Sequence, residues 1–179
     1  MRKGGVDIRK IFWGMLFVFL NFNLDLDASR IGLIPTFIGY ILLMSGTAEL
    51  RDYSDHIVKI RPYIGVMVAF SGLLYILDLL GVTPSLSWGL SFILGLISTI
   101  MALVISYNIV MSVLDIEAGR KQRMNFDKLF STWKFFAVCS VIIYLLFWFP
   151  ALAIVCIIAN LIAVIVFLEQ LNRAKNMFY

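Results

Sequence analysis

The polar side chains within the long apolar stretches of this sequence are its best candidates for binding a ligand. Asn160 lies near the middle of one apolar stretch, and Ser98, Tyr107 and Asn108 follow one another along a second. A buried amide or hydroxyl is costly unless it is hydrogen-bonded, so each of these groups needs a partner. The partner is either a bound small molecule or a neighbouring helix, and for Asn160 the helix is the favoured interpretation.

Residues for enzymatic chemistry are scarce. The one histidine, His56, lies in a charged segment with Asp52 and Asp55, and the sequence has no HExxH, GxSxG, P-loop or GxGxxG pattern. A nucleophile requires a base within hydrogen-bonding reach, and the sequence indicates no such pair. Cys139 and Cys156 lie in apolar stretches without metal-ligand spacing. We therefore predict no enzyme activity, no metal site and no cofactor.

The composition is that of a membrane protein. The chain is 61% hydrophobic and 15% charged, whereas soluble domains are about 45–50% apolar and about 25% charged. Exposing the excess apolar surface to water would cost roughly 25 cal/mol per Å², so this surface is expected to face lipid. In a membrane protein the positions of the basic residues indicate orientation, so the net charge of +4 does not indicate nucleic-acid binding. We predict no nucleic-acid partner.

Charged and turn segments divide the chain into apolar stretches of membrane-spanning length. A helix needs about 20 residues to cross about 30 Å of hydrocarbon. The uncharged block from Phe135 to Leu168 has 34 residues and would be about 51 Å long as one helix. Pro150 near its middle favours two helices, with one kinked span as the alternative. The sequence predicts an all-α integral membrane protein, one domain over 1–179, with six transmembrane helices at about 8–22, 31–50, 62–80, 86–114, 133–149 and 151–170.

The positions of the basic residues predict the orientation. With six spans and a cytoplasmic N-terminus, the cytoplasmic segments contain every Lys and Arg except Arg30, as the positive-inside rule requires. Tryptophan favours the headgroup region, and Trp13, Trp88, Trp133 and Trp148 all fall at predicted helix ends. Both termini are therefore predicted to be cytoplasmic.

Small residues recur on two predicted helices at spacings that place them on one face. Such faces allow helices to approach closely, and we predict helix packing at both. The residues are Gly32, Gly39 and Gly46 on the second helix and Ser91, Gly95 and Thr99 on the fourth.

A short basic group follows the fourth predicted helix. Arg120, Lys121 and Arg123 lie just before the amphipathic segment that leads into the fifth helix. Ordinary positive-inside charge explains them. Contact with anionic lipid is the sharper alternative.

The start of the second predicted helix resembles a known group of proteins. The pattern Ile-Pro-x-x-Ile-Gly-Tyr-Ile at residues 34–41 is similar to that of small, uncharacterised polytopic membrane proteins of Gram-positive bacteria. The resemblance covers roughly residues 8–60. It implies a location in the bacterial cytoplasmic membrane more than it implies an activity.

Two functions remain open at this stage. The first is a non-catalytic membrane subunit that interacts with other membrane proteins or with copies of itself. The second is a small-molecule transporter or substrate-binding membrane subunit, with a cavity near helix four and Asn160. A cavity shared by Asn160, Ser98 and Tyr107 would favour the second, and polar pairing across dry helix interfaces would favour the first.

Overall fold

The computed structural model is all-helical over the residues that it describes, namely 9–24, 36–80, 88–120, 126–146 and 150–176. These residues form six α-helices, of which four are long and apolar enough to cross a membrane. The helices are α1 (Arg9–Leu24), α2 (Thr36–Glu49), α3 (Asp55–Leu79), α4 (Trp88–Arg120), α5 (Phe126–Leu145) and α6 (Pro150–Asn176). The four long apolar segments are Asp55–Leu77, Gly89–Ala118, Phe126–Leu145 and Ile154–Arg173.

Several helices extend beyond the bounds that the apolar stretches predict. The third starts at Asp55 rather than at Pro62, which lies inside it. Ser54 explains this start, because its Oγ accepts a hydrogen bond from the backbone N–H of His56 at 3.2 Å and so caps the helix. The fourth continues to Arg120 and the fifth starts at Phe126. Charged residues end an apolar stretch, but they do not end a helix that continues into water.

The remaining bounds differ in smaller ways. The sixth helix begins at Pro150, one residue before its predicted start, where a missing N–H costs no helical hydrogen bond. The fifth ends at Leu145, before the predicted residue 149. The described parts of the first two helices have 16 and 14 residues.

The helices form a closed ring. Each helix contacts the next one along the chain, and α6 also contacts α1. Phe19 of α1 lies at the point of closure. Its ring centroid is 4.7 Å from that of Phe136 in α5 and 6.2 Å from that of Phe167 in α6. These three rings are almost fully buried, and they join the first helix to the last two.

Among the described glycines, those between α1 and α2 lie closest to a neighbouring helix. A Cβ built on Gly39 would lie 2.9 Å from the carbonyl oxygen of Gly14. A Cβ on Gly46 would lie 2.7 Å from Cγ1 of Ile11 and 3.0 Å from its backbone nitrogen. Gly39 and Gly46 therefore lie where the backbones meet, Gly39 opposite Gly14 and Gly46 opposite Ile11. The spacing argument includes neither Gly14 nor Ile11. Gly32 lies outside the described residues.

The outer surface of the ring is apolar. On α4, large apolar side chains with exposed fractions of 39–52% recur at Ile93, Ile97, Ile100 and Val104. This three- and four-residue spacing follows one face of the helix. Exposed apolar residues lie in the same way on α5 and α6, for example Val138 and Ile158. Surfaces of this kind face lipid, and the chain is a membrane protein.

We expect Gly39→Ala and Gly46→Ala to destabilise the fold by about 1–3 kcal/mol each, because overpacking forces the helices apart. Gly65→Ala is the matched control, since a Cβ there would meet no atom within 4 Å. Its stability should stay the same or rise slightly, as alanine favours helix. Unfolding of the purified protein in mixed micelles measures the difference. Equal stability of the Gly39→Ala and Gly65→Ala variants would contradict the close contact.

Candidate functional site

The buried polar side chains of α4, α5 and α6 are the candidate functional site. Thr99 of α4 is 4% exposed, and its Oγ1 lies 2.7 Å from the hydroxyl oxygen of Tyr144 in α5. The Thr99 hydroxyl also lies 2.8 Å from the carbonyl oxygen of Gly95. A Cβ on Gly95 would lie 3.4 Å from the Tyr144 hydroxyl. The small residue at 95 thus leaves room for the tyrosine to reach Thr99.

A second hydrogen bond joins α4 to α5 nearer the ends that carry the charges. The indole N–H of Trp133 donates to Oγ of Ser106 over 2.9 Å. Ser106 is fully buried and donates in turn to the carbonyl oxygen of Leu103, also at 2.9 Å. Ser106 and Thr99 are seven residues apart, so they lie on one face of α4. The two hydrogen bonds hold α4 and α5 together at two levels.

Asn160 pairs with the neighbouring helix. The hydroxyl of Ser140 in α5 donates to Oδ1 of Asn160 in α6 over 3.2 Å, and both side chains are fully buried. Ser140 and Tyr144 are four residues apart on α5, so one face of this helix contacts α6 through Asn160 and α4 through Thr99. The contact is between protein groups and uses one of the two lone pairs of Oδ1.

A small cavity lies beside these contacts. It has a volume of about 10 Å³ and is lined by Phe19, Thr99, Ala102, Leu103, Phe136 and Ser140. This volume is at the lower limit for one water molecule. Pockets that hold small molecules measure about 300–1,000 Å³. The cavity in this conformation therefore has no room for an organic substrate.

The other predicted ligand-binding residues lie apart from Asn160. The ring of Tyr107 packs 5.1 Å from that of Trp133 and 6.5 Å from that of Phe130, measured between centroids. Asn108 points to α3, where its Oδ1 lies 3.3 Å from Nδ1 of His56. These residues contact two different helices and do not line the cavity that Ser140 and Thr99 share.

Two further residues that the sequence singles out on α4, Ser91 and Ser98, are more exposed than Thr99. Ser98 and Gly95 are partly exposed, and Ser91 is exposed. Thr99 and Gly95 therefore face α5, and Ser91 lies nearer the surface of the bundle. The predicted basic group lies beyond the described side chains, since Arg120 is described only as the last residue of α4. Lys121 and Arg123 lie outside the described residues.

Polar contacts that sequence reasoning missed hold the charged ends of the helices. Ser54 at the start of α3 donates a short hydrogen bond to Asp115 near the end of α4. Glu117 accepts a 3.3 Å hydrogen bond from the backbone N–H of Phe126 at the start of α5. The sequence contains a signal for each contact. Serine is a common residue just before a helix, as Ser54 is, and carboxylates such as that of Glu117 favour helix N-termini. The partner helices could not be named from the sequence.

A salt bridge joins the start of α1 to the end of α2. Nζ of Lys10 in α1 lies 2.5 Å from Oε1 of Glu49 in α2. The two side chains are 42% and 36% exposed, so the pair contributes about 0–1 kcal/mol. Its value here is geometric, because it places the start of α1 beside the end of α2.

Within the described part of the chain, no group of three His, Cys, Asp or Glu side chains could hold a metal ion. Comparison of the chain with protein-family models, with curated proteins and with solved structures found no match.

We expect Ser140→Ala and Asn160→Ala to be energetically coupled. Hydrogen bonds between helices inside membranes contribute about 0.6 kcal/mol on average and up to about 1.7 kcal/mol. A double-mutant cycle of unfolding free energies in mixed micelles measures the coupling. The control cycle combines Asn160→Ala with Ser131→Ala, an exposed position on α5, where we expect no coupling. Zero coupling between 140 and 160 would mean that the two side chains do not stabilise each other.

Proposed function

We propose that this chain is a non-catalytic subunit of the bacterial cytoplasmic membrane that binds other membrane proteins. The pairing of its buried polar groups with one another is the observation that carries this proposal. Thr99 pairs with Tyr144, Ser106 with Trp133, and Ser140 with Asn160. In a transport site, the polar side chains would instead face a common hydrated cavity.

The outward faces supply the surface for a partner. Ile97 on α4, Val138 on α5 and Ile158 on α6 are 45–56% exposed and apolar. Membrane helices associate by close packing rather than by escape from water, so a partner helix replaces lipid against such a face at little cost. A subunit of this kind needs no charged group within its spans.

We further propose six spans with both termini in the cytoplasm. The distribution of Lys and Arg supports this orientation. Three contacts between successive helices support a common end for the charged residues: Lys10 with Glu49, Ser54 with Asp115, and Glu117 with the backbone of Phe126. In this arrangement α1 and α2 also cross the membrane, together with residues that flank their described segments.

A small-molecule transporter or substrate-binding subunit is the second candidate. One observation favours it: the cavity near α4 is lined by Thr99 and Ser140, and Ser140 is the partner of Asn160. Separation of α4 from α5 would enlarge this cavity and part Thr99 from Tyr144 and Ser106 from Trp133. A transporter would have to break the Thr99–Tyr144 contact in such a state, whereas a subunit would keep it. Experiments can therefore distinguish the two functions.

Labelling of single cysteines tests the orientation. In a background with Cys139→Ala and Cys156→Ala, we expect a membrane-impermeant maleimide to modify Ser85→Cys in intact cells, because the 83–86 turn is predicted to be external. Asp52→Cys, an exposed position before α3, should react only after the membrane is opened. Equal labelling of both variants in intact cells would exclude the six-span arrangement, since its two loops lie on opposite sides.

Photo-crosslinking tests the subunit proposal. A photoreactive residue is placed at Ile97, Val138 or Ile158 in turn, and at Ile105, which is 1% exposed, as the buried control. We expect one exposed face to crosslink to a second membrane polypeptide of a single mass, and Ile105 to give no such product. Native mass spectrometry of the gently extracted protein should then contain the same mass.

A different pair of results would favour transport. If every exposed position crosslinks only to lipid, the chain has no stable protein partner. A reproducible small adduct on the intact protein, lost in the Asn160→Ala variant, would then identify a bound substrate.

A further inference from the structure

Burial within the bundle ends at one level on four helices. Counted from the charged ends, the last buried residues that the structure describes are Met67 on α3, Thr99 on α4, Ser140 on α5 and Asn160 on α6. Ser140 bonds to Asn160, and Ser140 and Thr99 line the same cavity, so these three lie at one depth. Beyond them, no described side chain in residues 68–80, 89–98, 141–146 or 154–159 is buried. We call these residues the distal segments.

Met67 lies close to the same level. It is eleven residues after His56 on α3, and Thr99 is nine residues before Asn108, which is the residue that His56 contacts. The two positions therefore differ in depth by about 3 Å along the helix axes. The packed part of the bundle is the part next to the charged ends, and the distal segments project from it.

Two features weaken α3 just beyond this level. The hydroxyl of Ser71 donates to the carbonyl oxygen of Met67, four residues back, over 2.5 Å. Bonds of this kind compete with the helix backbone and often bend helices. Gly72 follows directly, and glycine favours helix less than any residue except proline. Because sharp kinks often lie at Gly/Ser pairs, α3 bends most easily at Ser71 and Gly72.

A matching feature lies on α4. The hydroxyl of Thr99 donates to the carbonyl oxygen of Gly95, again four residues back, over 2.8 Å. The single proton of Thr99 is used in this bond, so the hydroxyl of Tyr144 is the donor in the 2.7 Å contact with Thr99. Tyr144 of α5 is therefore anchored to the last buried turn of α4, at the point where α4 bends most easily.

A ring contact holds the distal segment of α4 against α5. The ring centroid of Phe92 lies 5.5 Å from that of Tyr144, and the ring planes are at 70°. Phe92 lies beyond Gly95 and moves when α4 bends there. Tyr144 stays bonded to Thr99 on the packed side. Bending therefore separates the two rings without breaking the hydrogen bond.

We propose that the distal segments of α3 and α4 swing away from α5, with α3 bending at Ser71–Gly72 and α4 bending at Gly95–Thr99. The packed part stays in place, and the contact between Phe92 and Tyr144 stabilises the closed arrangement. A partner that binds the distal segments selects one of the two arrangements. The motion keeps the bond between Thr99 and Tyr144, so it depends on neither of the functions proposed above.

Distances between spin labels on the full-length protein in lipid nanodiscs test this motion. In a background without the native cysteines, one label pair is placed at Ile76 and Leu145, exposed positions in the distal segments of α3 and α5. The control pair is placed at Lys59 and Ser131, exposed positions near the charged ends. Double electron–electron resonance should give a short and a long distance for the distal pair and a single distance for the control pair.

Three variants should change the ratio of the long to the short distal distance in different ways. Phe92→Leu stays apolar but loses the ring contact, and should raise the ratio about fivefold. Gly72→Ala should lower it about fivefold, because alanine favours the straight helix. Gly65→Ala is the matched control, since a Cβ at either glycine would meet no atom within 4 Å and residue 65 lies in the packed part. It should leave the ratio unchanged.

Three outcomes would overturn the proposal. A single distal distance that Phe92→Leu does not change would mean that the distal segments do not swing. Equal effects of Gly72→Ala and Gly65→Ala would mean that α3 does not bend at residue 72. If Phe92→Leu fails to fold or lengthens both label pairs, Ser71→Ala decides, because it removes the bond to Met67. It should lower the ratio as Gly72→Ala does, and an unchanged ratio is the third contrary outcome.

Discussion

The absence of water from the hydrocarbon core is the constraint on which the rest of this structure depends. A hydroxyl or amide inside a bilayer has no solvent to bond with, so its partner must come from the same helix or the next one. The fold meets this need on α4, α5 and α6 with few groups, whereas the buried hydroxyl of Tyr40 on α2 has no partner among the described residues. Thr99, Ser106 and Ser140 each bond across a helix interface or to a carbonyl one turn away. Apolar side chains alone would allow these helices to rotate against one another. The hydrogen bonds determine which faces of α4, α5 and α6 turn inward.

The fifth helix has the largest share in this arrangement. Trp133 and Tyr144 bond to α4, Ser140 bonds to α6, and Phe136 packs against Phe19 of α1. One face of a 20-residue helix therefore contacts three others. The α1–α2 pair is built in a different way, with backbone contact at Gly14 and Gly39 and a partly exposed Lys10–Glu49 ion pair at one end. The same bundle thus combines two means of association that membrane helices commonly use.

The sequence predicts the class of the fold much better than its contacts. Hydropathy and the positions of charges were enough to predict an all-helical membrane protein, because both follow from the solvent. The spacing of Gly39 and Gly46 indicated their face, but not that Gly14 and Ile11 lie opposite them. The pairing of Asn160 with Ser140 could not be predicted, since it depends on the rotation and offset of two helices. Polar helix extensions such as residues 55–61 were missed because apolar length measures the membrane and not the helix.

The closure of the ring between α1 and α6 has a consequence for biosynthesis. A chain is made from its N-terminus, so α1 is complete before Phe136 and Phe167 exist. Phe19 therefore cannot reach these two rings until α5 and α6 have been made. The glycine contact between α1 and α2 needs only the first two helices, so it can form earlier. The burial of Phe19 is complete only after α6 has been made.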